Sequence, residues 1–415
     1  NDGTNTGGTV SASFSRLVLS ANAFSATVGT AYKISAITAL TEEAGEDLHL
    51  FLPVIATDGD GDQIETSFML TFDADGNITG TDANEVISGV GVKFIDGGDG
   101  NDTVSYEGST VGVTADLSDS THFTNVENLV GSDLVDHLTG DSHNNIIEGG
   151  AGADFLNGGS DGNDALSYAH DTDGVTVDLG TGTGIVSGGD AQGDTISNFD
   201  NVIGGSGDDT ITGDSHDNII EGGAGADKLD GGSDGNDTLS YAHDTHGVTV
   251  DLGTGIVSGG DAQGDTISNF DNVIGGSGND HLTGDGQSNI LSGGDGHDTL
   301  VGGGGNDTLI GGSDDDTLTG GTGADRFVVG DGNDTIVDYH KAEGDVVDIS
   351  DVFDNATDHL AVTANSDGTV HLSILDGGDN EIGSVSFDNI EHSELTPGDE
   401  LNSLLGQVVV DDGTP

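Results

Sequence analysis

The chain has 415 residues, with 76 Asp and Glu against six Lys and Arg, a formal net charge of −70, 74 Gly, and neither Cys nor Trp. Six cations cannot meet a phosphate backbone, which excludes nucleic acid as a partner, and no run of 18 apolar residues is present to span a membrane. Divalent cations are the partner such acidity points to, and metal would stabilise a chain that has no disulfides.

Residues 1–79 read as strands around turns. The start, NDGTNTGG, has no initiator Met and no secretory leader, so the sequence reads as the end part of a longer chain. Residues 10–19 alternate in the β manner. Residues 47–58 (DLHLFLPVIATD) and 65–73 (ETSFMLTFD) flank a tight acidic turn, as in the end of a β-sandwich module. Asp58, Asp60 and Asp62 stand at alternate places of that turn, where a calcium loop has its ligands, although Gln63 and Met69 stand where an EF-hand needs Gly and Glu.

From residue 80 a nonapeptide, G-G-x-G-x-D-x-U-x with U large and apolar, takes over. It is ragged at first and clean at GGDGNDTVS (97–105). Residues 80–274 also carry a long duplication: the stretch from Gly158 to Gly205 recurs from Gly231, and a diverged copy starts at Gly97. Each unit is a short nonapeptide run followed by a spacer. Tyr106, Tyr168 and Tyr241 recur at one place, as do Val126, Phe199 and Phe270, and are expected to fill wider coils. His143, His216, His170 and His243 recur as well and are expected to face solvent, since none has a second imidazole at ligand spacing.

Residues 275–337 are seven nonapeptides without a gap: GGSGNDHLT, GDGQSNILS, GGDGHDTLV, GGGGNDTLI, GGSDDDTLT, GGTGADRFV and VGDGNDTIV. Beyond them ordinary alternation resumes at 345–350, 359–364, 369–375 and 381–390, which are expected to cap the open end of a solenoid.

The repeat has a direct physical reading. Glycines at places one, two and four permit positive φ and close approach of carbonyls. The sixth-place aspartate adds a carboxylate, and calcium takes six to eight such oxygens at about 2.3–2.6 Å. The final x-U-x is a short strand with U inward, so two nonapeptides make one 18-residue coil with a strand on each face. Place six then stacks on place six two repeats away. One edge carries Asp280, Asp298, Asp316 and Asp334; the other carries Asn289, Asp307 and Asp325. Stacked like charges repel, and a dication between them turns that repulsion into attraction.

The candidate calcium ligands are therefore Asp102, Asp154, Asp164, Asp209, Asp227, Asp237, Asp280, Asp298, Asp307, Asp316, Asp325 and Asp334. Asp164 and Asp237 are displaced by one inserted residue. Carbonyls at Gly205, Gly207, Gly276, Gly278, Gly294, Gly296, Gly303, Gly305, Gly321 and Gly323 complete the set, with Asp58, Asp60 and Asp62 as a further candidate group. Asn145, Asn218 and Asn289 replace the aspartate, and their turns are expected to be weak or empty. Leu282, Leu291, Leu300, Leu309, Leu318, Phe327 and Ile336 are the expected core.

On these motifs the chain resembles, from about residue 80 to its end, the C-terminal region of bacterial repeats-in-toxin (RTX) adhesins exported by type I secretion. The resemblance implies an all-β fold: a calcium-bound parallel β-roll, preceded by a partial β-sandwich and closed by a small β-rich cap. It places the secretion signal in residues 338–415, with GGTGADRFVVGDGNDTIVDYHKAEGDVVDIS (320–350) as the junction before it. It further implies several calcium ions, a secreted or cell-surface location, the type I machinery as partner during export, and a host, biofilm or abiotic surface as partner of the intact protein.

No catalysis is expected from this chain. H-E-x-x-H is absent, and the two G-x-S-x-G matches put Ser160 and Ser233 in turns, without the strand-to-helix elbow a nucleophile needs. The alternative is a calcium-dependent folding and export module of a secreted hydrolase. A third reading, an ice- or glycan-binding face, lacks a uniform outward ladder: Thr210 and Thr212 stand against Lys228 and Asp230.

Overall fold

The computed structural model describes residues 76–180, 184–350, 352–353, 359–364, 369–378 and 380–391, and the backbone of strands at 33–34, 38–40, 48–57, 63–72 and 408–409. Asp58, Asp60 and Asp62 lie outside the described residues, as do residues 10–19. The chain divides into two compact units, Asn1–Asp164 and Ala165–Pro415. Among the described residues there is no α-helix, only two single 3-10 turns at Gly189–Ala191 and Gly260–Ala262.

In the first unit, Leu48–Thr57 and Gln63–Phe72 form an antiparallel ribbon of ten facing pairs. Gln63–Phe72 continues antiparallel onto Ile78–Thr79, and from there pairing becomes parallel, to Ile95–Asp96 and Phe123–Thr124. Two parallel faces follow. Val86–Ser88, Thr103–Ser105, Asn128–Val130 and Ile146–Glu148 make one. Thr114–Asp116, His137–Thr139 and Phe155–Asn157 make the other.

The second unit repeats this plan at greater length. One face runs from Ala165–Ser167 through Asn201–Ile203, Ile219–Glu221, Thr238–Ser240, Asn272–Ile274, Ile290–Asp295 and Thr308–Ser313 to Arg326–Val328 and Val346–Asp348. In the opposite layer His281–Thr283, Thr299–Gly304, Thr317–Thr322 and Asn333–Ile336 pair in parallel. The register is the one an 18-residue coil demands: Leu282 faces Leu300, Leu291 faces Leu309, Leu300 faces Leu318, and Leu309 faces Phe327.

All seven expected core residues of 275–337 are fully buried. The core is thin, so each such side chain contributes roughly 1.5–3 kcal/mol of burial with few neighbours to share the work. Four strands in the array are longer than the three-residue x-U-x: Ile290–Asp295, Thr299–Gly304, Thr308–Ser313 and Thr317–Thr322 each run six residues. Glycine pairs directly follow x-U-x there, and Gly294 opposite Gly312 or Gly303 opposite Gly321 extends the ladder around the corner.

The spacers of the two close copies each add an antiparallel hairpin. Thr176–Asp178 pairs with Ile185–Ser187, and Thr249–Asp251 with Ile256–Ser258, each followed by a 3-10 turn that buries Ala191 or Ala262. Tyr168, Tyr241, Val126, Phe199 and Phe270 are buried around these wider coils. The cap is an antiparallel meander of His359–Ala364, Thr369–Leu375 and Glu381–Glu391. Its last strand adds in parallel to Asn333–Ile336, covering that open strand edge, and Tyr339 meets Phe387 edge-on at 5.5 Å. Val408–Val409 adds in the same way to Val346–Asp348.

Candidate metal centres in the turns

The sixth-place residues come together along the edges of the roll as chains of side-chain to backbone hydrogen bonds. In the second unit one edge reads Asp280, Asp298, Asp316, Asp334. The Asp280 N–H donates to Asp298 Oδ1 (2.8 Å), Asp298 N–H to Asp316 Oδ1 (2.9 Å), and Asp316 N–H to Asp334 Oδ1 (2.9 Å). The opposite edge reads Asn289, Asp307, Asp325, with N–H donors to Asp307 Oδ1 (2.8 Å) and Asp325 Oδ1 (2.9 Å). Asp209 donates in the same way to Asp227, and Asn218 to Asp237; in the first unit Asn145 donates to Asp164. The last two pairs span 19 residues, which accounts for the inserted residue in GGSDGND. In every pair the earlier residue donates and the later carboxylate accepts.

One oxygen of each aspartate is thus used. At Asp102, Asp227, Asp298, Asp307, Asp316 and Asp334 the other, Oδ2, is buried and has no hydrogen-bond partner. A buried carboxylate oxygen with no donor is strongly unfavourable unless a cation meets it. Burial, with neighbouring carboxylates adding to it, pushes Asp298 and Asp334 up to about 8, Asp227 up to about 7, and Asp102 and Asp307 up to about 6. Asp316 and Asp237 reach about 6 for the same leading cause, and Asp209, Asp280 and Asp325 are raised as well.

The orphaned oxygens face the place-one glycines. A Cβ on Gly293 would fall on Asp298 Oδ2, with the Gly311 carbonyl beside it; a Cβ on Gly302 would meet Asp307 Oδ2 and the Gly320 carbonyl. The space left by the missing side chain is therefore lined by a carboxylate oxygen and a carbonyl from the next coil on that edge. This refines the reason for glycine at place one. Gly293 does not have positive φ, unlike Gly294 at φ 109 in place two, so position one is kept small to leave room beside the carboxylate. Among the described residues no group of three or more His, Cys, Asp or Glu side chains converges on one point. A cation here would take its remaining ligands from backbone carbonyls, a hard-oxygen set that suits calcium.

The expected carbonyl donors occupy places two and four of these turns. Gly294, Gly296, Gly303, Gly305, Gly321 and Gly323 all have positive φ. Gly205, Gly207, Gly276 and Gly278, in the first turn after each spacer, do not; a Cβ there would strike backbone of the preceding unit, such as the Asp171 carbonyl against Gly205 and the Asp244 carbonyl against Gly276. Asp154 and Asp164 are buried in the first unit, where Asp154 Oδ1 accepts from Asp136 N–H (2.8 Å).

Several members of these chains escaped the motif. Asp136 is fully buried at place six of 131–139, where Leu134 and Val135 disguise the repeat; its Oδ1 accepts from Val113 N–H (2.6 Å) and its Oδ2 from Ser132 N–H (2.5 Å). Asp265 takes the Asp227 N–H (2.8 Å), and Asp345 takes the Asp325 N–H (3.0 Å). The signal in both is the tail of the motif alone, D-T-I-S at 265–268 and D-V-V-D at 345–348. His143, His216 and His243 are exposed and pair with Asp141, Asp214 and Glu221.

Residues 130–166, 194–229, 203–239, 265–300 and 301–336 match the family described as RTX calcium-binding nonapeptide repeat (4 copies). No curated protein matches the sequence. Among solved structures, the chain is similar to the AlgE6R3 subunit of the Azotobacter vinelandii mannuronan C5-epimerase, at 25% identity and a TM-score of 0.22, over 32% of this chain and 89% of that one. It is also similar to the extracellular lipase LipA from Serratia marcescens, at 15% identity and a TM-score of 0.26; the match covers 76% of this chain and 45% of the lipase. The turns are built from RTX calcium-binding nonapeptides stacked as a parallel β-roll, and calcium, in several copies, is the ion they take.

Proposed function

We propose that this chain is the calcium-folded C-terminal region of a secreted or surface-displayed bacterial adhesin, which folds after type I export and supports attachment or biofilm formation. The observation that carries the calcium part is the set of buried Oδ2 atoms without a partner at Asp102, Asp227, Asp298, Asp307, Asp316 and Asp334. In this reading each ion lies beside a place-one glycine. It is held by the sixth-place carboxylates Asp102, Asp154, Asp164, Asp209, Asp227, Asp237, Asp280, Asp298, Asp307, Asp316, Asp325 and Asp334, and by carbonyls of the glycine-rich turns. Residues 275–337 are the most regular part, and residues 338–415 combine a cap with the export signal.

The mechanism follows from charge and solvation. Where calcium is scarce, the acidic, glycine-rich chain cannot offset its buried carboxylates and stays extended enough to be threaded through an exporter. Outside, millimolar calcium saturates sites of the 10⁻⁴–10⁻³ M range used by extracellular modules. Folding then opposes return. Support for an adhesin over a hydrolase comes from residues 47–58 and 65–73, which read as the end of a β-sandwich module and pair as the long antiparallel ribbon Leu48–Thr57/Gln63–Phe72.

Two measurements test this. Calcium titration of the full chain followed by circular dichroism is expected to show cooperative gain of β-structure, reversed by chelator; a chain equally folded in chelator would refute it. Cells displaying the intact protein should attach to a surface with calcium and detach on chelation. Ester or peptide hydrolysis by the intact secreted protein, with no effect on attachment, would favour the hydrolase.

A further inference from the structure

We propose that Asn145, Asn218 and Asn289 form metal-free rungs, in which the side-chain amide satisfies with its own oxygen and nitrogen what an aspartate in that place would need a cation to satisfy. The inference rests on the calcium reading above and says which turns are exempt from it. All three asparagines are buried, and they make the same bonds in all three copies. Oδ1 accepts from the N–H four residues earlier: Asp141 (2.7 Å), Asp214 (2.8 Å) and Asp285 (2.8 Å). Nδ2 donates to the carbonyl 18 residues earlier: Glu127 (2.8 Å), Asp200 (2.6 Å) and Asp271 (2.7 Å). The main-chain N–H donates forward to the next carboxylate, as it does at the aspartate places.

A second amide completes the clip from the other side. The residue following each asparagine, Ile146, Ile219 or Ile290, donates its N–H to the side-chain oxygen of Asn128 (2.9 Å), Asn201 (2.7 Å) or Asn272 (2.8 Å) in the spacer coil. The clip therefore joins a spacer coil, which has no glycine-rich turn at that place, to the first coils of the next nonapeptide run. An aspartate in its place would set a carboxylate oxygen against the carbonyl of residue 127, 200 or 271, two acceptors with nothing between them. That pair needs a cation, and the amide supplies its own donor instead.

On the opposite edge the chain uses a different donor to the same end: the buried Tyr241 hydroxyl donates to Asp265 Oδ2 (3.0 Å), and Tyr168 donates to Asp194 Oδ2 (3.1 Å). The spacer junctions are thus closed by protein donors, while Asp227, Asp298, Asp307, Asp316 and Asp334 within the nonapeptide runs keep an open oxygen. Calcium-bound turns are in consequence grouped into runs separated by rungs that stack without metal.

The test counts ions on the full chain in excess calcium by native mass spectrometry, with circular dichroism to confirm folding. Asn218→Asp and Asn289→Asp are each expected to take up one more calcium than the unaltered chain, and Asn289→Ala none. Folded Asp variants with an unchanged count would overturn the proposal. So would calcium anomalous scattering at the Asn289 turn in a crystal of the unaltered chain, a measurement that stands even where a variant fails to fold. If the unaltered chain takes up no calcium at all, the reading of the aspartate turns fails first, and the two failures are told apart.

Discussion

Asp298, Asp316 and Asp334 divide their two oxygens, and the division sets how they respond to pH and to substitution. Oδ1 holds a main-chain N–H of the preceding coil on that edge, and Oδ2 is buried without a hydrogen-bond partner, the oxygen the proposed cation would meet. Without calcium the proton is the only substitute. Asp298 and Asp334 are raised to about 8, against an unfolded value of about 3.9. A raised carboxylate contributes stability that is fully present below the unfolded value and is lost as pH rises through the folded one. The chelated chain should therefore show more β-structure by circular dichroism at pH 5.5 than at pH 8.5, while the calcium-loaded chain should not. A chelated chain that gains structure toward pH 8.5 would contradict the assignment of these carboxylates. The motif marked Asp298 and Asp334 as candidate ligands, but not the separate use of their two oxygens, which depends on a neighbour 18 residues away.

The strand is the next scale, and here nearly everything followed from period nine. U at place eight predicted the seven buried residues from Leu282 to Ile336, and 18-residue stacking predicted the facing pairs. Leu309 sits mid-array between Leu291 and Phe327 and is fully buried. Leu309→Ala should cost about 2–5 kcal/mol, the range for a truncated buried leucine. The loss should appear as a lower melting temperature in saturating calcium and a higher calcium midpoint; an unchanged midpoint would mean that metal binding and core packing are not linked. The spacers were less legible. Their hairpins and 3-10 turns do not share the period, and Asp265 keeps the last places of the repeat with its glycines, Gly259, Gly260 and Gly264, out of step, so its hydrogen bond from Asp227 reveals its place. Asp136 was hidden in a simpler way, by Leu134 and Val135 where the motif has Gly and a polar residue.

At the scale of the whole chain, charge and topology act together. In the reading proposed above, a formal charge of −70 keeps the calcium-free polypeptide expanded, and an unfolded chain of this length has a radius of gyration of roughly 70 Å. Calcium should contract it, which small-angle scattering with and without chelator would read directly. The two-unit division and the cap strand Glu381–Glu391 completing the open edge at Asn333–Ile336 follow from pairings that composition does not encode. The main-chain bonds between sixth-place residues along each edge all run one way, from an earlier N–H to a later carboxylate. A lesion at one aspartate is therefore inherited by its predecessor. Asp316→Ala removes the proposed ligand from its own turn but strips the partner from the Asp298 amide, a full coil upstream, while the Asp316 amide keeps its bond to Asp334. Hydrogen exchange in saturating calcium should show protection lost at Asp298 more than at Asp334. Equal loss on both sides would mean that the roll yields as one block and has no grain. With grain, each turn is vouched for by the one that comes after it in the chain, and an error propagates toward the N-terminus.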